Sequence, residues 1–132
     1  MSLFFQLETL MKALCAIRDK DPSRKSLVVS QFTSFLDIVE DALKEQDFLF
    51  VRLDGRMTQE ARARAIETFS DPSSSSPTVF LLSLTAGGVG LNLTAATRVF
   101  LLDPVGFFKA TFTPHRTNFQ GSVENLCVFQ PP

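Results

Sequence analysis

The chain has two cysteines, one histidine, no tryptophan and no tyrosine, and its aromatic side chains are those of 14 phenylalanines. Cys15 and Cys127 lie too far apart in the sequence for a metal-binding motif. Two such cysteines also form no disulfide framework, which favours a reducing compartment. His115 has no neighbours that could share a metal ion with it. These scarcities predict a chain without a metal site.

The chain also lacks a large excess of charge of either sign and lacks long apolar runs. The net charge is -1, so no global field attracts the chain to nucleic acid or to a membrane, and a polyanion site must come from locally placed Lys and Arg. No apolar run approaches the roughly 20 residues of a membrane-spanning helix. The start of the chain carries Glu8 within its apolar part and no early basic residue, unlike a signal peptide. We expect an intracellular protein with no membrane partner.

Helix-like and strand-like segments alternate through the first hundred residues. Helices are predicted at 6–20, 33–46 and 58–70, and strands at 26–30, 48–54, 78–84 and 98–103. Pro22 ends the first helix, and Thr58 caps the third. The inward face of the second helix is predicted to hold Phe35, Ile38, Val39, Ala42 and Leu43. Such alternation indicates an α/β domain whose largely parallel sheet is covered on both faces.

The last 28 residues show neither the helical nor the strand-like spacing of apolar residues. Five of the 14 phenylalanines and three prolines fall within 105–132. The upstream alternation predicts a helix and a closing strand there, but only "SVENLCVF" at 122–129 resembles a strand, and weakly. We therefore expect an irregular tail and a sheet that is incomplete at its C-terminal end.

A glycine-rich loop, "TAGGVG" at 85–90, follows the third predicted strand. It is no P-loop, because no Lys in the chain follows a Gly, and a Rossmann pattern fails because its third glycine would fall at Leu93. Open α/β sheets nevertheless bind ligands at the carboxyl ends of their strands. Glycines at this position allow positive φ and the close approach of another backbone. The chemistry alone leaves tight-turn packing and ligand contact both open.

Three stretches stand in the order of the C-terminal helicase motifs. "LVVSQF" (27–32) resembles motif IV, "RLDG" (52–55) the segment after the next helix, and "SLTAGGVGLNL" (83–93) motif V. Over about 7–104 the chain resembles the second RecA-like lobe of Swi/Snf-type, superfamily-2 DNA-dependent ATPases, in the helicase-like transcription factor branch. The resemblance implies a three-layer α/β lobe. Its parts would be a lead-in helix and linker at 1–25, a partial lobe at 26–104 and a divergent tail at 105–132.

The resemblance also implies roles for particular residues, since in the family motif V contacts the phosphate backbone of the tracked strand and couples it to the nucleotide cleft. The implied DNA contacts in motif V are Thr85, Ala86, Gly87 and Gly88, and the implied nucleotide-facing residues are Gly90 and Asn92. Residues implied to line or support the DNA side are Gln31, Phe32, Arg52, Asp54, Gly55 and Arg56.

Several of these residues have simpler alternatives. Gln31 could cap the following helix, Arg52 could be a solvated charge at a strand end, and Asp54–Gly55 could be only a turn. Outside the motifs, Cys15 is read as a core residue and Ser73–Ser76 as a plain flexible loop. Arg62 and Arg64 are read as a solvated helix face.

The 132 residues hold no P-loop, no acidic Mg-binding motif and no motif VI arginine finger, because Arg116, Gln120 and Gly121 have the wrong spacing for motif VI. The resemblance thus implies part of a nuclear ATP-dependent DNA translocase or chromatin remodeller with no catalytic residue of its own. ATP and Mg would act only in the complete two-lobe motor, and the partners would be the first lobe and, weakly and non-specifically, double-stranded DNA. The open alternatives are a non-catalytic DNA- or protein-interaction module and an unrelated α/β enzyme.

Overall fold

A five-stranded parallel sheet forms the middle layer of the fold, and the computed structural model describes residues 3–83, 95–102 and 126–128. The helices are α1 (Leu3–Lys20), α2 (Thr33–Glu45) and α3 (Gln59–Ser70). The strands are β1 (Ser26–Ser30), β2 (Phe50–Leu53), β3 (Val79–Ser83), β4 (Arg98–Leu101) and β5 (Leu126–Val128). Their order across the sheet is β2-β3-β1-β4-β5. The predicted α/β class is confirmed. No helix in the described part of the chain is long and apolar enough to span a membrane.

Helices cover both faces of the sheet. Successive residues of a strand point to opposite sides, so each strand contributes side chains to both faces. Val28, Leu81 and Phe100 pack with α1 and α2 on one face. On the other face Phe69 of α3 meets Phe80 edge to face, with 5.2 Å between the ring centroids. Every residue of β1 and β3 is buried, as the uninterrupted apolar runs predicted. Cys15 packs against the core on the α1 side, as expected.

The inward face of α2 differs from the prediction at two residues. Ile38 is 43% exposed, whereas Leu36, which the prediction omitted, is fully buried. At 3.6 residues per turn, Ile38 lies about 110° from the centre of the stripe formed by the buried residues, while Leu36 lies about 50° from it. Ile38 therefore falls on the solvent side of the helix, despite its apolar side chain.

The tail contributes an ordered element to the sheet. β5 lies within the 122–129 stretch and pairs parallel with β4, with Val99 opposite Leu126 and Leu101 opposite Val128. An apolar three-residue segment here supplies backbone partners to a β4 edge that would otherwise be open. The expectation of an irregular tail does not hold for these three residues. The other residues of 105–132 lie outside the described part.

A buried lysine organises the amino edge of the sheet. The ammonium group of Lys25 donates to the carbonyl oxygen of Phe69, to that of Asp71 at 3.0 Å and to Ser76 Oγ at 2.9 Å. Burial lowers the pKa of Lys25, and the charge of Asp71 acts in the opposite direction. Because these acceptors lie at the end of α3 and in the loop before β3, Lys25 ties both segments to the start of β1.

The serine loop at 73–76 is more structured than predicted. Ser73 donates its N–H and its hydroxyl to the Asp71 carboxylate, at 3.0 and 3.1 Å, and these hydrogen bonds hold the pKa of Asp71 below its ordinary value. Ser76 is buried and donates to the carbonyl oxygen of Ser73 at 2.8 Å. The prediction of a plain loop was wrong, since its polar side chains bond to the loop itself and to Lys25.

Replacing Lys25 by Met tests this anchor. Lys25→Met keeps the length of the side chain but leaves three acceptors without their donor, and we expect a loss of about 2 kcal/mol in the free energy of unfolding. Urea unfolding followed by circular dichroism measures it. Lys44→Met, on the exposed side of α2, is the matched control and should be close to neutral. Equal stability of the two variants would contradict the role of Lys25.

Candidate nucleic-acid interface

β1, β2 and β3 end at the same edge of the sheet, and each carries or leads into one of the three motif stretches. The strands are parallel, so their carboxyl ends lie together, with Ser30 of β1 opposite Ser83 of β3 and Leu53 of β2 opposite Leu82. Gln31 therefore follows β1 at this edge, Asp54 follows β2, and the motif V loop leaves from the end of β3. Segments more than 50 residues apart in the sequence are brought side by side.

The motif V residues lie just beyond β3 and outside the described part of the chain. This applies to all six predicted residues of the loop, which are Thr85, Ala86, Gly87, Gly88, Gly90 and Asn92. Their implied roles stay predictions. The structure describes the other six predicted residues, which are Gln31, Phe32, Arg52, Asp54, Gly55 and Arg56.

The motif IV segment leads directly into α2. Phe32, not Gln31, occupies the N-cap position, so the cap alternative for Gln31 is wrong. The Phe32 N–H donates to Ser30 Oγ at 3.0 Å, and its ring is 52% exposed. Gln31 is half-buried beside it. An aromatic residue at an N-cap forgoes the side-chain hydrogen bond that Ser, Thr, Asp or Asn would make there.

Arg52 is an internal ion-pair residue rather than a solvated charge. Its side chain is 11% exposed, and its Nη1 lies 2.5 Å from Asp37 Oδ1 and 3.6 Å from Glu40 Oε2. Its Nη2 donates to the carbonyl oxygen of Thr33 at 3.2 Å, and its Nε lies 3.3 Å from Asp54 Oδ2. Arg52 thus joins β2 to the first turns of α2. Three carboxylates already surround its guanidinium, so the structure favours the supporting role.

Asp54 shapes the turn that follows β2. Its Oδ1 accepts the backbone N–H of Arg56 at 3.0 Å, and the N–H of Met57 donates to its carbonyl oxygen at 3.3 Å. The Asp54–Gly55 turn is therefore confirmed. Directly after it, Thr58 caps α3 by accepting the N–H of Ala61 at 3.1 Å, as predicted.

The Asp54 carboxylate is buried and ionised. Its side chain is 10% exposed, and burial by itself raises the pKa of Asp54. The hydrogen bond from the Arg56 backbone, together with the charges of Arg56 and Arg52, outweighs burial and lowers that pKa below its ordinary value. A carboxylate between two arginines is thus built into the edge where the motifs meet.

Arg56 presents a cation to solvent at this edge. Its side chain is 79% exposed, with Nη2 at 3.4 Å from Asp54 Oδ2.

Arg64 is exposed as predicted, whereas Arg62 is half-buried and does not fit the description of a solvated charge. Sequence reasoning missed the acidic partners of Arg52. Asp37 and Glu40 stand three residues apart on one helix, and this spacing could have indicated an ion-pair site for a basic side chain.

Comparison with known families and proteins extends this description. The family model described as "Helicase conserved C-terminal domain" matches residues 6–118, beyond the 104 at which the sequence resemblance was expected to end. The helicase-like transcription factor of Mus musculus is 57% identical over 99 residues, which are 75% of this chain and 10% of that protein. DNA repair protein RAD5 of Gibberella zeae is 53% identical over 95 residues, 72% of this chain and 8% of that protein.

Solved structures agree with the sequence comparisons. The crystal structure of the C-terminal part of the Fun30 ATPase domain matches with a TM-score of 0.75 and 31% identity, covering 93% of this chain and 40% of that one. The chain spans about a tenth of the length of the curated relatives cited above. The sheet order, the converging motifs and these matches lead to one assignment: the chain belongs to the helicase conserved C-terminal domain family, as a RecA-like lobe of the Swi/Snf-type DNA-dependent ATPases.

Proposed function

We propose that this lobe contacts the phosphate backbone of double-stranded DNA and couples that contact to ATP in a complete two-lobe motor of the nucleus. The observation that carries the proposal is the convergence of the three motif stretches at one edge of the parallel sheet. Ligands of open α/β sheets bind at this edge. A transcription or DNA-repair context follows from the names of the relatives.

The DNA contacts divide into contacting and supporting residues. Arg56 is the exposed cation on the turn after β2, and Thr85–Gly88 follow β3 in the sequence. Backbone N–H groups of a glycine-rich loop can receive phosphate oxygens. Arg52 and Gly55 act from behind, Arg52 through its ion pairs and Gly55 by forming the turn, while Gln31 lies at the end of β1. Contacts of this kind read the backbone and not the bases, so binding is non-specific.

ATP chemistry requires the first lobe. Gly90 and Asn92 would face the nucleotide between the lobes, and Mg²⁺ would neutralise charge on the transferring phosphoryl group. The sequence holds no P-loop and no arginine finger, and in the described part no three His, Cys, Asp or Glu residues gather as metal ligands. The contribution of this chain is thus to hold DNA and to present one wall of the cleft. It does not hydrolyse ATP alone.

DNA binding by the isolated chain should be weak and sensitive to salt. We expect a Kd of about 10⁻⁴ M at physiological salt, the weak end of non-specific binding, because the net charge is -1 and only half of the motor is present. Thr85→Asp places a negative charge against the phosphate backbone and should weaken binding about tenfold. Fluorescence anisotropy of a labelled duplex at two salt concentrations measures both effects.

The matched control adds the same charge at the other edge of the sheet. Ser74→Asp lies in the exposed part of the loop before β3, so its affinity for the duplex should equal that of the unchanged chain. An affinity that does not depend on salt, or equal effects of Thr85→Asp and Ser74→Asp, would reject the assigned DNA side.

The isolated chain should release no phosphate from ATP above background, with or without duplex DNA. Loss of an arginine finger alone costs on the order of 10³–10⁵ in rate, and here the P-loop lysine is missing as well. A phosphate-release assay on the purified chain is the measurement, with Asn92→Ala prepared in parallel. DNA-stimulated turnover of about 1 s⁻¹ that Asn92→Ala abolishes would refute the proposal.

A further inference from the structure

One carboxylate at the DNA edge touches both a buried and an exposed arginine. Asp54 Oδ2 lies 3.3 Å from Arg52 Nε and 3.4 Å from Arg56 Nη2, while Asp54 Oδ1 accepts the backbone N–H of Arg56. Arg52 and Asp54 are almost fully buried, and Arg56 is largely exposed. The three residues form a line from the interior of the lobe to its surface.

We propose that Asp54 is a positioning residue that holds the Arg56 guanidinium ready for a DNA phosphate. The inference rests on the proposed DNA contact. An arginine side chain has many rotamers and loses much entropy when a partner fixes it. A carboxylate that already restrains both the backbone and the guanidinium of Arg56 lowers this cost of binding.

The restraint is effective because Asp54 is itself held. Arg52 lies behind it and is fixed in turn by Asp37 Oδ1, Glu40 Oε2 and the carbonyl oxygen of Thr33. These partners belong to α2, and Arg52 belongs to β2, so regular elements carry the chain of contacts. A site held from regular elements keeps its geometry better than one held only by a loop. Arg52 thereby serves DNA binding without touching DNA.

Electrostatics and positioning predict opposite effects when Asp54 is neutralised. A carboxylate near the phosphate backbone repels it, so Asp54→Asn should tighten DNA binding if charge alone mattered. If Asp54 positions Arg56, the same substitution should weaken binding. Glu60→Gln is the matched control, because Glu60 is an exposed carboxylate in the first turn of α3 and stands outside the contacts of Arg52, Asp54 and Arg56.

The test measures the affinity of the full chain for a labelled duplex in low salt. We expect Asp54→Asn to weaken binding about threefold or more, and Glu60→Gln to leave it unchanged or slightly tighter. Arg56→Gln should weaken binding and lower the salt slope by about 0.9. In the Arg56→Gln background, Asp54→Asn should have no further effect, since the group that it positions is gone.

The outcomes separate this inference from the proposed function. If Arg56→Gln weakens binding but Asp54→Asn does not, or if Asp54→Asn weakens it equally in both backgrounds, positioning is overturned and the DNA contact stands. If Arg56→Gln changes nothing, the contact itself fails at this residue, and the inference with it. Should Asp54→Asn fail to fold in a urea titration, Arg52→Lys replaces it, with the same expected loss that disappears in the Arg56→Gln background.

Discussion

Parallel pairing of β1 with both β3 and β4 is the constraint on which the rest of the lobe depends. Parallel strands need a crossover between them, and α2 and α3, which connect β1 to β2 and β2 to β3, are crossovers that cover opposite faces of the sheet. Because the strands are parallel, their carboxyl ends lie at one edge of the sheet and their amino ends at the other. The burial that stabilises the sheet and the convergence of the motif stretches therefore have a single cause.

The two edges of the sheet use buried charge in different ways. At the amino edge Lys25 gives all three of its protons to acceptors within the protein, so it binds elements together and offers nothing to a ligand. At the carboxyl edge Arg52 and Asp54 are likewise buried and paired, but their line of contacts ends at Arg56 on the surface. Burying a charge costs free energy unless it is paired. Among the described residues, Arg56 extends that pairing to solvent at the carboxyl edge.

Membership in a motor family relates this geometry to the proposed function. Under the proposed function, the carboxyl edge of the sheet is where this lobe contacts DNA and faces the nucleotide. The relatives are about ten times longer than the matched region. The described residues form two apolar clusters, one on each face of the sheet.

The sequence by itself determined the α/β class, the bounds of the helices and of the first four strands to within three residues, and where the motif stretches stand along the chain. These features depend on apolar periodicity, Pro22 and the Thr58 cap, which are properties of neighbouring residues. For the same reason, the turn at Asp54–Gly55 was predictable.

Tertiary structure alone decided which residues meet. The salt bridge of Arg52 with Asp37 spans 15 residues, and the hydrogen bond of Lys25 to Phe69 spans 44. The burial of Leu36 instead of Ile38 depended on where the sheet lies against α2. β5 pairs with β4 because an open strand edge accepted a segment with weak local preference. Local patterns carry no information about such pairings, because their energy comes from partners that only the folded chain brings within reach.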